Sequence, residues 1–214
     1  MGDRGVRTMK ILISGFEPFG KLESNPTEAL VKEAADWKIE GIDIRTVVLP
    51  VVYRECAARL QEEIEAVKPD VVLSLGVAVG RSAVTPERIG INVQHTEGEG
   101  KFGDNSGRKP DNEPLIEGGP DGLFATLPNR EITRALTDSG IPAQISNSAG
   151  TYICNNTLYE TLCYVRERGS QIKAGFIHVP ATPEMASHTP HVPTMSLDVQ
   201  AKALKTILTV IREN

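Results

Sequence analysis

The sequence predicts a three-layer α/β/α sandwich with a mostly parallel, twisted sheet. Two observations support this fold class: predicted strands and helices alternate along the whole chain, and several strands are short, continuous apolar runs. The 214 residues are enough for one domain with a well-developed core. We expect residues 1–8, a polar stretch before a second methionine, to be a disordered extension, and residues 9–214 to form a single domain.

Each predicted element rests on a local pattern of apolar residues and on the residues that bound it. Asn25 before Pro26 is a typical helix start, because Asn caps a helix and Pro suits its first turn. Helical spacing of apolar residues places Cys56 in the core. The predicted elements are strand 10–14, a helix from Pro26, strand 42–49, helix 53–67, strand 71–75, helix 129–138, strand 143–146, helix 154–168, strand 174–179 and a helix capped by Ser196.

Residues 94–122 interrupt this alternation, because Gly, Asp, Glu, Asn and Pro dominate there and aliphatic residues are few. Long connections in compact domains are usually functional or mobile. In a parallel α/β sheet, sites form at the carboxyl ends of the strands. Three predicted loops leave strand ends in this way: 15–24, 76–87 and 147–153.

Composition argues against several classes of protein. The net charge of −5 argues against a nucleic-acid binder and gives no attraction to an anionic membrane surface. No apolar stretch approaches the roughly 20 residues that a membrane-spanning helix needs. The start of the chain lacks the apolar core of a secretory signal. Three cysteines at unrelated spacings make a poor disulfide framework and predict reduced thiols in a cytosolic protein.

Cys154 is the first candidate for chemistry, because it opens a predicted helix. The positive end of the helix dipole and the unpaired N–H groups at such a position favour a nucleophilic thiolate. The same amides could hold an oxyanion. From position alone, however, a small structural cysteine at a strand-to-helix junction is the simpler interpretation.

His178 and Glu87 are candidates to act with Cys154. A histidine inside an apolar strand is costly unless its ring nitrogens have partners, which favours a satisfied core residue, but His178 lies near the strand end where sites form. Glu87 is either a surface carboxylate paired with Arg88 or the group that orients an imidazole. Spacing alone does not choose this trio, because such residues meet in space and not in sequence.

Two other motifs are weaker candidates. The loop from Gly15 to Gly20 follows a strand, as phosphate-binding loops do, but it lacks the lysine of a P-loop and the glycine spacing of a dinucleotide site. His188 and His191 could form a metal pair, but no third ligand is obvious, so we expect solvated histidines and no metal site. Cys163 lies in mid-helix and is expected to be structural.

Four sequence blocks occur in order along the chain: residues 14–20 with Asn25 and Pro26, 80–92, 148–155, and 175–180. Together they resemble the pyrrolidone-carboxylate peptidase, or pyroglutamyl-peptidase I, family, over roughly residues 9–210. The resemblance implies a cytoplasmic cysteine peptidase that releases N-terminal pyroglutamate from peptides, with a triad of Glu87, Cys154 and His178. It also implies an α/β/α fold, no cofactor and usually a homotetramer.

The resemblance further implies a substrate pocket, in which Phe16 and Phe19 match the phenylalanines that sandwich the pyroglutamate ring. Two positions depart from the family: Val77 stands where Gln is frequent, and Lys101 is the nearest match to an Arg that often precedes the pair Asp104–Asn105. The segment 95–100 is longer than usual. The Val77 departure affects the expected specificity more than the chemistry, because backbone groups at that position can still bind a lactam. The Lys101 departure predicts a different rate or a different order of the loop. The implied substrate-binding residues are Phe16, Phe19, Asn25, Val77, Lys101, Tyr152 and Ile153.

Three alternatives remain open at this stage. The chain could be another cysteine amidohydrolase on the same scaffold, which a comparison of pyroglutamyl and prolyl amides would separate. It could be a non-catalytic small-molecule or phosphate-binding module, in which Cys154 is unreactive. The least favoured alternative is a pseudoenzyme kept for its oligomer surface, since all three residues of the implied triad are present.

Overall fold

A computed structural model of the chain describes residues 8–20, 22–96 and 101–214. The predicted disordered extension therefore lies, except for residue 8, outside the described residues. The elements, in chain order, are β1 (Met9–Phe16), α1 (Pro26–Ala34), β2 (Ile42–Leu49), α2 (Glu55–Val67), β3 (Val71–Val77), β4 (Thr85–Pro86), β5 (Ile89–Ile91), β6 (Gly122–Phe124), α3 (Asn129–Asp138), α4 (Ile153–Glu167), β7 (Lys173–Val179) and α5 (Leu197–Glu213).

The central sheet has five strands in the order β2-β1-β3-β7-β4. The first four strands are parallel, and the two-residue β4 pairs antiparallel with β7. β5 and β6 form a separate antiparallel pair. The predicted α/β fold with a mostly parallel sheet is confirmed.

Strand alternation sorts the side chains of β7 into two helix layers. Ile177 packs with residues of α1, α3 and α5, whereas Ala174 and Phe176 pack with residues of α2 and α4. By the same alternation, His178 belongs on the side of α2 and α4. This side matters, because α4 carries Cys154 near its start.

The sheet opens between β1 and β3 at its carboxyl end. The two strands pair only as far as Ser14 and Ser74. Beyond that point β1 continues beside β2 to Phe16, and β3 continues beside β7 to Val77. A crevice of this kind, at the carboxyl ends of strands, is where α/β proteins bind ligands.

Local signals account for two of the helix ends. The Asn25 side chain accepts a hydrogen bond from the Thr27 N–H at 3.1 Å, and Pro26 opens α1, as predicted. α2 ends at Lys68, which adopts a left-handed conformation with φ of 50°. None of the helices in the described part of the chain combines the length and apolarity that crossing a bilayer requires.

The predicted strand at 143–146 is wrong. That segment makes only isolated bridges, from Ala143 to Val84 and from Ser146 to Glu87, which flank β4 on the edge that faces away from β7. The strands β4, β5 and β6 were not predicted, since each has only two or three residues and two of them contain glycine. Periodicity carries no signal over so few residues.

Candidate active site

A cleft occupies the opening between β1 and β3, with about 310 Å³ of empty space that is partly open to solvent. All the predicted substrate-binding residues border it except Lys101, and Cys154 borders it too. The lining residues are Phe16, Phe19, Asn25, Val51, Gly76, Val77, Tyr152, Ile153 and Cys154. Val51 and Gly76 were not predicted to line a pocket. A glycine near the end of a strand can indicate close approach of another group, whereas nothing in the sequence distinguishes Val51.

Cys154 lies at the start of α4, as the sequence suggested. The helix begins at Ile153 with Tyr152 as its N-cap residue, so the thiol sits in the first turn. N–H groups of the first turn have no partner within the helix, and the residues at this helix start, Tyr152, Ile153 and Cys154, line the cleft. The Cys154 side chain is partly exposed, whereas Cys56 and Cys163 are buried.

Gly76 connects the thiol to the strand that carries the histidine. Gly76 on β3 is paired with His178 on β7. A Cβ atom built on Gly76 would lie 3.0 Å from the Cys154 sulfur and 2.8 Å from the Phe176 ring. The sulfur therefore lies directly over β3 at the level of His178, on the side of the sheet that His178 faces.

Glu87 and His178 form a buried pair. Glu87 Oε1 lies 2.7 Å from His178 Nδ1, and Glu87 has no exposed surface. The Glu87 N–H donates to the Phe176 carbonyl at 2.9 Å, which fixes the carboxylate beside β7. An ionised carboxylate can only accept, so Nδ1 carries the proton and Nε2 is left as the nitrogen that can accept one.

The charge of Glu87 is stabilised by its neighbours. Burial alone would raise the pKa of Glu87, but the hydrogen bond and charge of His178, with Ser146 and Arg81, hold that pKa below its usual value. Arg81 Nη1 donates to Glu87 Oε1 at 2.7 Å. Arg88, the neighbour of Glu87 in sequence and its partner in one interpretation of the sequence, instead borders a separate cavity beside Phe124.

The long connection between β5 and β6 is anchored over the cleft. Asn105 Nδ2 donates to Glu17 Oε1 at 2.8 Å and to the Pro18 carbonyl at 3.1 Å. The Tyr152 hydroxyl donates to the Gly103 carbonyl at 2.9 Å. The segment thus ties the loop after β1 to the residue that caps α4.

Asp104 organises that segment internally. Its carboxylate accepts hydrogen bonds from the Tyr53 N–H at 2.9 Å and from the N–H groups of Ser106 and Arg108. Burial would raise the pKa of Asp104, but these hydrogen bonds together lower it. Lys101 points elsewhere, with Nζ 5.1 Å from the centre of the Phe102 ring. Most of the segment that the sequence analysis found unusually long, residues 97–100, lies outside the described residues.

The two weaker candidates, the loop after β1 and the histidine pair, can be placed in the structure. The Phe16 N–H donates to Thr27 Oγ1 at 3.0 Å and the Glu17 N–H to the Leu49 carbonyl at 3.1 Å, so this loop does not present those amides to a phosphate. Within residues 8–20, 22–96 and 101–214, no three His, Cys, Asp or Glu side chains are placed to hold a metal ion together. His188 and His191 lie in the exposed loop before α5.

Comparison with known proteins decides the family. A family model described as pyroglutamyl peptidase matches residues 9–214. The chain belongs to the pyroglutamyl peptidase family. This membership confirms the resemblance carried by the four sequence blocks, and it makes the chain a member of a cysteine peptidase family.

Individual relatives agree over nearly the whole chain. The pyrrolidone-carboxylate peptidase of Halalkalibacterium halodurans is 43% identical over 195 residues, which cover 91% of this chain and 94% of the relative. That of Vibrio parahaemolyticus is 43% identical over 202 residues, covering 94% and 92%. Among solved structures, the pyroglutamyl peptidase I of Bacillus amyloliquefaciens matches with a TM-score of 0.92 at 33% identity, covering 96% of each chain. The pyrrolidone carboxyl peptidase of Pyrococcus furiosus matches with a TM-score of 0.91 at 38% identity, covering 96% and 99%.

Proposed function

We propose that this chain removes pyroglutamate from the N-terminus of peptides, with Cys154 as nucleophile, His178 as general base and acid, and Glu87 as the group that orients the imidazole. The observation that carries the proposal is the placement of the Cys154 sulfur over β3, level with His178, whose Nδ1 is 2.7 Å from Glu87. Membership of the pyroglutamyl peptidase family supports the same substrate.

The proposed reaction is acyl transfer through a thioester. His178 Nε2 takes the proton of Cys154, and the thiolate attacks the carbonyl that joins pyroglutamate to the next residue. N–H groups at the start of α4 hold the oxyanion. The amine leaves with the proton from His178. Water then attacks the thioester with His178 as base, which releases pyroglutamate and restores the thiol.

Val77 supports recognition of the lactam through its main chain. The Ala78 N–H donates to the Val179 carbonyl at 2.9 Å, and successive amides of a strand point to opposite edges. The N–H and C=O of Val77 therefore point towards the opening between β1 and β3. A lactam carries one N–H beside one C=O, the complement of that pair. The side chain at position 77, where the family often has Gln, is not needed for these bonds.

The other lining residues support a neutral ring over a charged one. Phe16 and Phe19 are proposed as the walls on either side of the lactam, with Asn25, Tyr152 and Ile153 closing the pocket. Burying the ammonium and carboxylate groups of glutamate between such walls would cost several kcal/mol, whereas the lactam has neither charge. Lys101 is proposed as a further cation for the oxyanion from the family resemblance alone, and that role requires its Nζ to leave the Phe102 ring and enter the cleft.

Hydrolysis of a chromogenic pyroglutamyl amide tests the proposal, with and without a thiol alkylator. We expect cleavage that the alkylator abolishes and that Cys154→Ala lacks. The matching prolyl amide is the control for a rival function, because phenylalanine walls would also accept a proline ring. Faster cleavage of the prolyl amide would reassign the chain to another cysteine amidohydrolase activity, and no thiol-dependent cleavage of either amide would refute the proposal.

The protein is further proposed to work in the cytoplasm as a single-domain homotetramer without a cofactor. Family resemblance supports the assembly, and the spacing of the cysteines supports a reducing compartment. Sedimentation equilibrium tests the assembly: a mass of four chains is expected, and a stable monomer at micromolar concentration would contradict it.

A further inference from the structure

Arg81 lies in the connection from β3 to β4 and does not line the cleft. Its guanidinium nevertheless reaches three acceptors behind the site. Nη1 donates to Glu87 Oε1 and to Thr85 Oγ1, both at 2.7 Å, and Nη2 donates to the Ser148 carbonyl at 3.3 Å. The Arg81 side chain is 33% exposed and Glu87 is not exposed at all, so Arg81 connects a buried carboxylate to the solvent side.

One oxygen atom of Glu87 receives both of its strong donors. Oε1 accepts from His178 Nδ1 and from Arg81 Nη1, each at 2.7 Å. Within the described part of the chain, Oε2 accepts no hydrogen bond of ordinary geometry, although Ser146 is near enough to stabilise the carboxylate. A buried carboxylate without adequate partners is strongly destabilised. Arg81 is therefore the second donor to the oxygen that His178 also contacts, and it contributes less than His178 to keeping this group charged.

The surroundings of Glu87 contain few other charges. His178 faces it from β7 and Arg81 from the β3–β4 connection, and these are the charged groups that act on its ionisation. The remaining contacts are uncharged: Ser146 from the segment before α4, and Asn129 at the start of α3, which donates to the Glu87 main-chain carbonyl at 3.0 Å.

We infer that Arg81 is a positioning residue of the proposed triad, which holds the Glu87 carboxylate charged and directed at His178 and ties it to the loop that leads into Cys154. The tie is the bond to Ser148, in the segment just before the cap of α4. Arg81 touches neither the substrate nor the sulfur in this assignment. The inference rests on the proposed roles of Glu87 and His178.

Two substitutions separate the charge of Arg81 from its geometry. Arg81→Gln keeps an N–H donor but removes the cation, and Arg81→Lys keeps the cation but removes the planar fork. Arg212→Gln is the matched control, because Arg212 is 35% exposed, donates to a main-chain carbonyl at Glu40, and lies at the far end of α5. All four proteins are first compared by thermal unfolding.

The decisive measurement is the pH dependence of Cys154 alkylation by iodoacetamide, followed by mass spectrometry of the Cys154 peptide. Loss of a cation disfavours the negative charges of Glu87 and of the thiolate, so alkylation requires a higher pH. For Arg81→Gln we expect a shift of about one pH unit upwards, the low end for a neighbouring charge because Arg81 is partly exposed. We expect kcat/KM at pH below that midpoint to fall about tenfold, with KM changed little.

The Lys variant and the control complete the test. Arg81→Lys should keep the wild-type pH profile but lose a few-fold in kcat, and Arg212→Gln should match wild type in both. If the alkylation profile of folded Arg81→Gln coincides with that of wild type, or if Arg81→Lys shifts as far as Arg81→Gln, the inference is overturned. If Arg81→Gln does not fold, the test rests on Arg81→Lys alone. A wild-type alkylation profile together with a wild-type kcat in Arg81→Lys would then overturn the inference. Because alkylation needs no peptide, a shifted profile in a protein that cleaves no pyroglutamyl amide would support Arg81 while refuting the proposed substrate.

Discussion

The cysteines of α2 and α4 differ in exposure, and the comparison shows which of them can react. Cys154 is partly exposed at the first turn of α4 and borders the cleft. Cys163, on the same helix, and Cys56, on α2, are buried. Burial raises the pKa of Cys163, and it raises that of Cys56 to about 12 even though Thr157 donates to the Cys56 sulfur at 3.4 Å. Cys56 also lies in the first turn of its helix, so exposure at the cleft, and not helix position alone, decides which thiol can become a nucleophile.

The strongest test of this comparison exchanges the cysteines one at a time. Cys154→Ala should lower kcat/KM for a pyroglutamyl amide by at least about 10⁴-fold, because no other group can form the thioester. Cys163→Ala should keep kcat/KM within a few-fold of wild type and reduce only thermal stability. Comparable losses of activity in the two variants would mean that the thiol at the helix start has no special role.

The second test removes the charge behind the histidine. Glu87→Gln should lower kcat at neutral pH by about 100-fold or more, since the imidazole loses the acceptor that fixes its tautomer. An exposed carboxylate on α2, changed as Glu62→Gln, is the control. If Glu87→Gln has the wild-type kcat, His178 does not need the carboxylate of Glu87 for activity, and the proposed role of Glu87 is wrong.

The same substitution has a pH signature in stability. The pKa of Glu87 is lower in the folded protein than its ordinary value, so ionisation of Glu87 stabilises the fold above the unfolded pKa of about 4.3. That contribution is lost as the pH falls through the folded pKa. Urea unfolding of wild type and Glu87→Gln should therefore differ most near neutral pH and converge in acid. A constant difference across this range would contradict the assignment.

A third, smaller effect is expected from crowding the nucleophile. Gly76→Ala places a methyl group 3.0 Å from the Cys154 sulfur and 2.8 Å from the Phe176 ring, so both must shift. We expect kcat to fall about 10- to 100-fold, as misplacement of a reacting group by a fraction of an ångström to 1 Å commonly does. Gly80→Ala, in the connection after β3, adds a Cβ with no atom within 4 Å but strains a backbone with a φ of 93°, so it controls for backbone effects without crowding the sulfur. Equal kcat in Gly76→Ala and wild type would place the reacting sulfur elsewhere.

The smallest effect concerns the segment over the cleft. Tyr152→Phe removes the hydroxyl that donates to the Gly103 carbonyl and keeps the ring that borders the cleft. Loss of one such hydrogen bond costs about 1 kcal/mol, so we expect KM to rise a few-fold with kcat nearly unchanged. A change confined to kcat would instead connect Tyr152 to the chemical step.

The sequence was most informative where apolar runs are long. β3 and β7 were recognised from continuous apolar stretches, and α4 within one residue of its ends. Residues 143–146 have the apolar composition of a strand, but they pair with the distant segment around β4 only at separate residues. Local composition contains no information on such partners.

The site was less accessible to sequence reasoning than the fold. The placement of Cys154 at a helix start followed from pattern alone, but the proposal that it acts with His178 and Glu87 required the family resemblance. Arg81 was overlooked in favour of Arg88, the immediate neighbour of Glu87. Successive side chains of an extended segment point to opposite faces, so the adjacent arginine is the one that cannot share the carboxylate's environment.

The parting of β1 and β3 sets how this pocket can change in evolution. The N–H and C=O groups of residue 77 are present whatever side chain that residue carries. Point mutations at this position therefore leave the proposed hydrogen bonds to the lactam intact. The spacing of β1 and β3, in contrast, does depend on side chains. The last paired residues before the opening are Ser14 and Ser74, which are small and whose hydroxyls are hydrogen-bonded at 2.8 Å. Bulkier residues in place of Ser14 and Ser74 would push the two strands apart or tilt them. Substitutions at this base of the cleft, and not in its walls, would therefore change the size of the ring that fits.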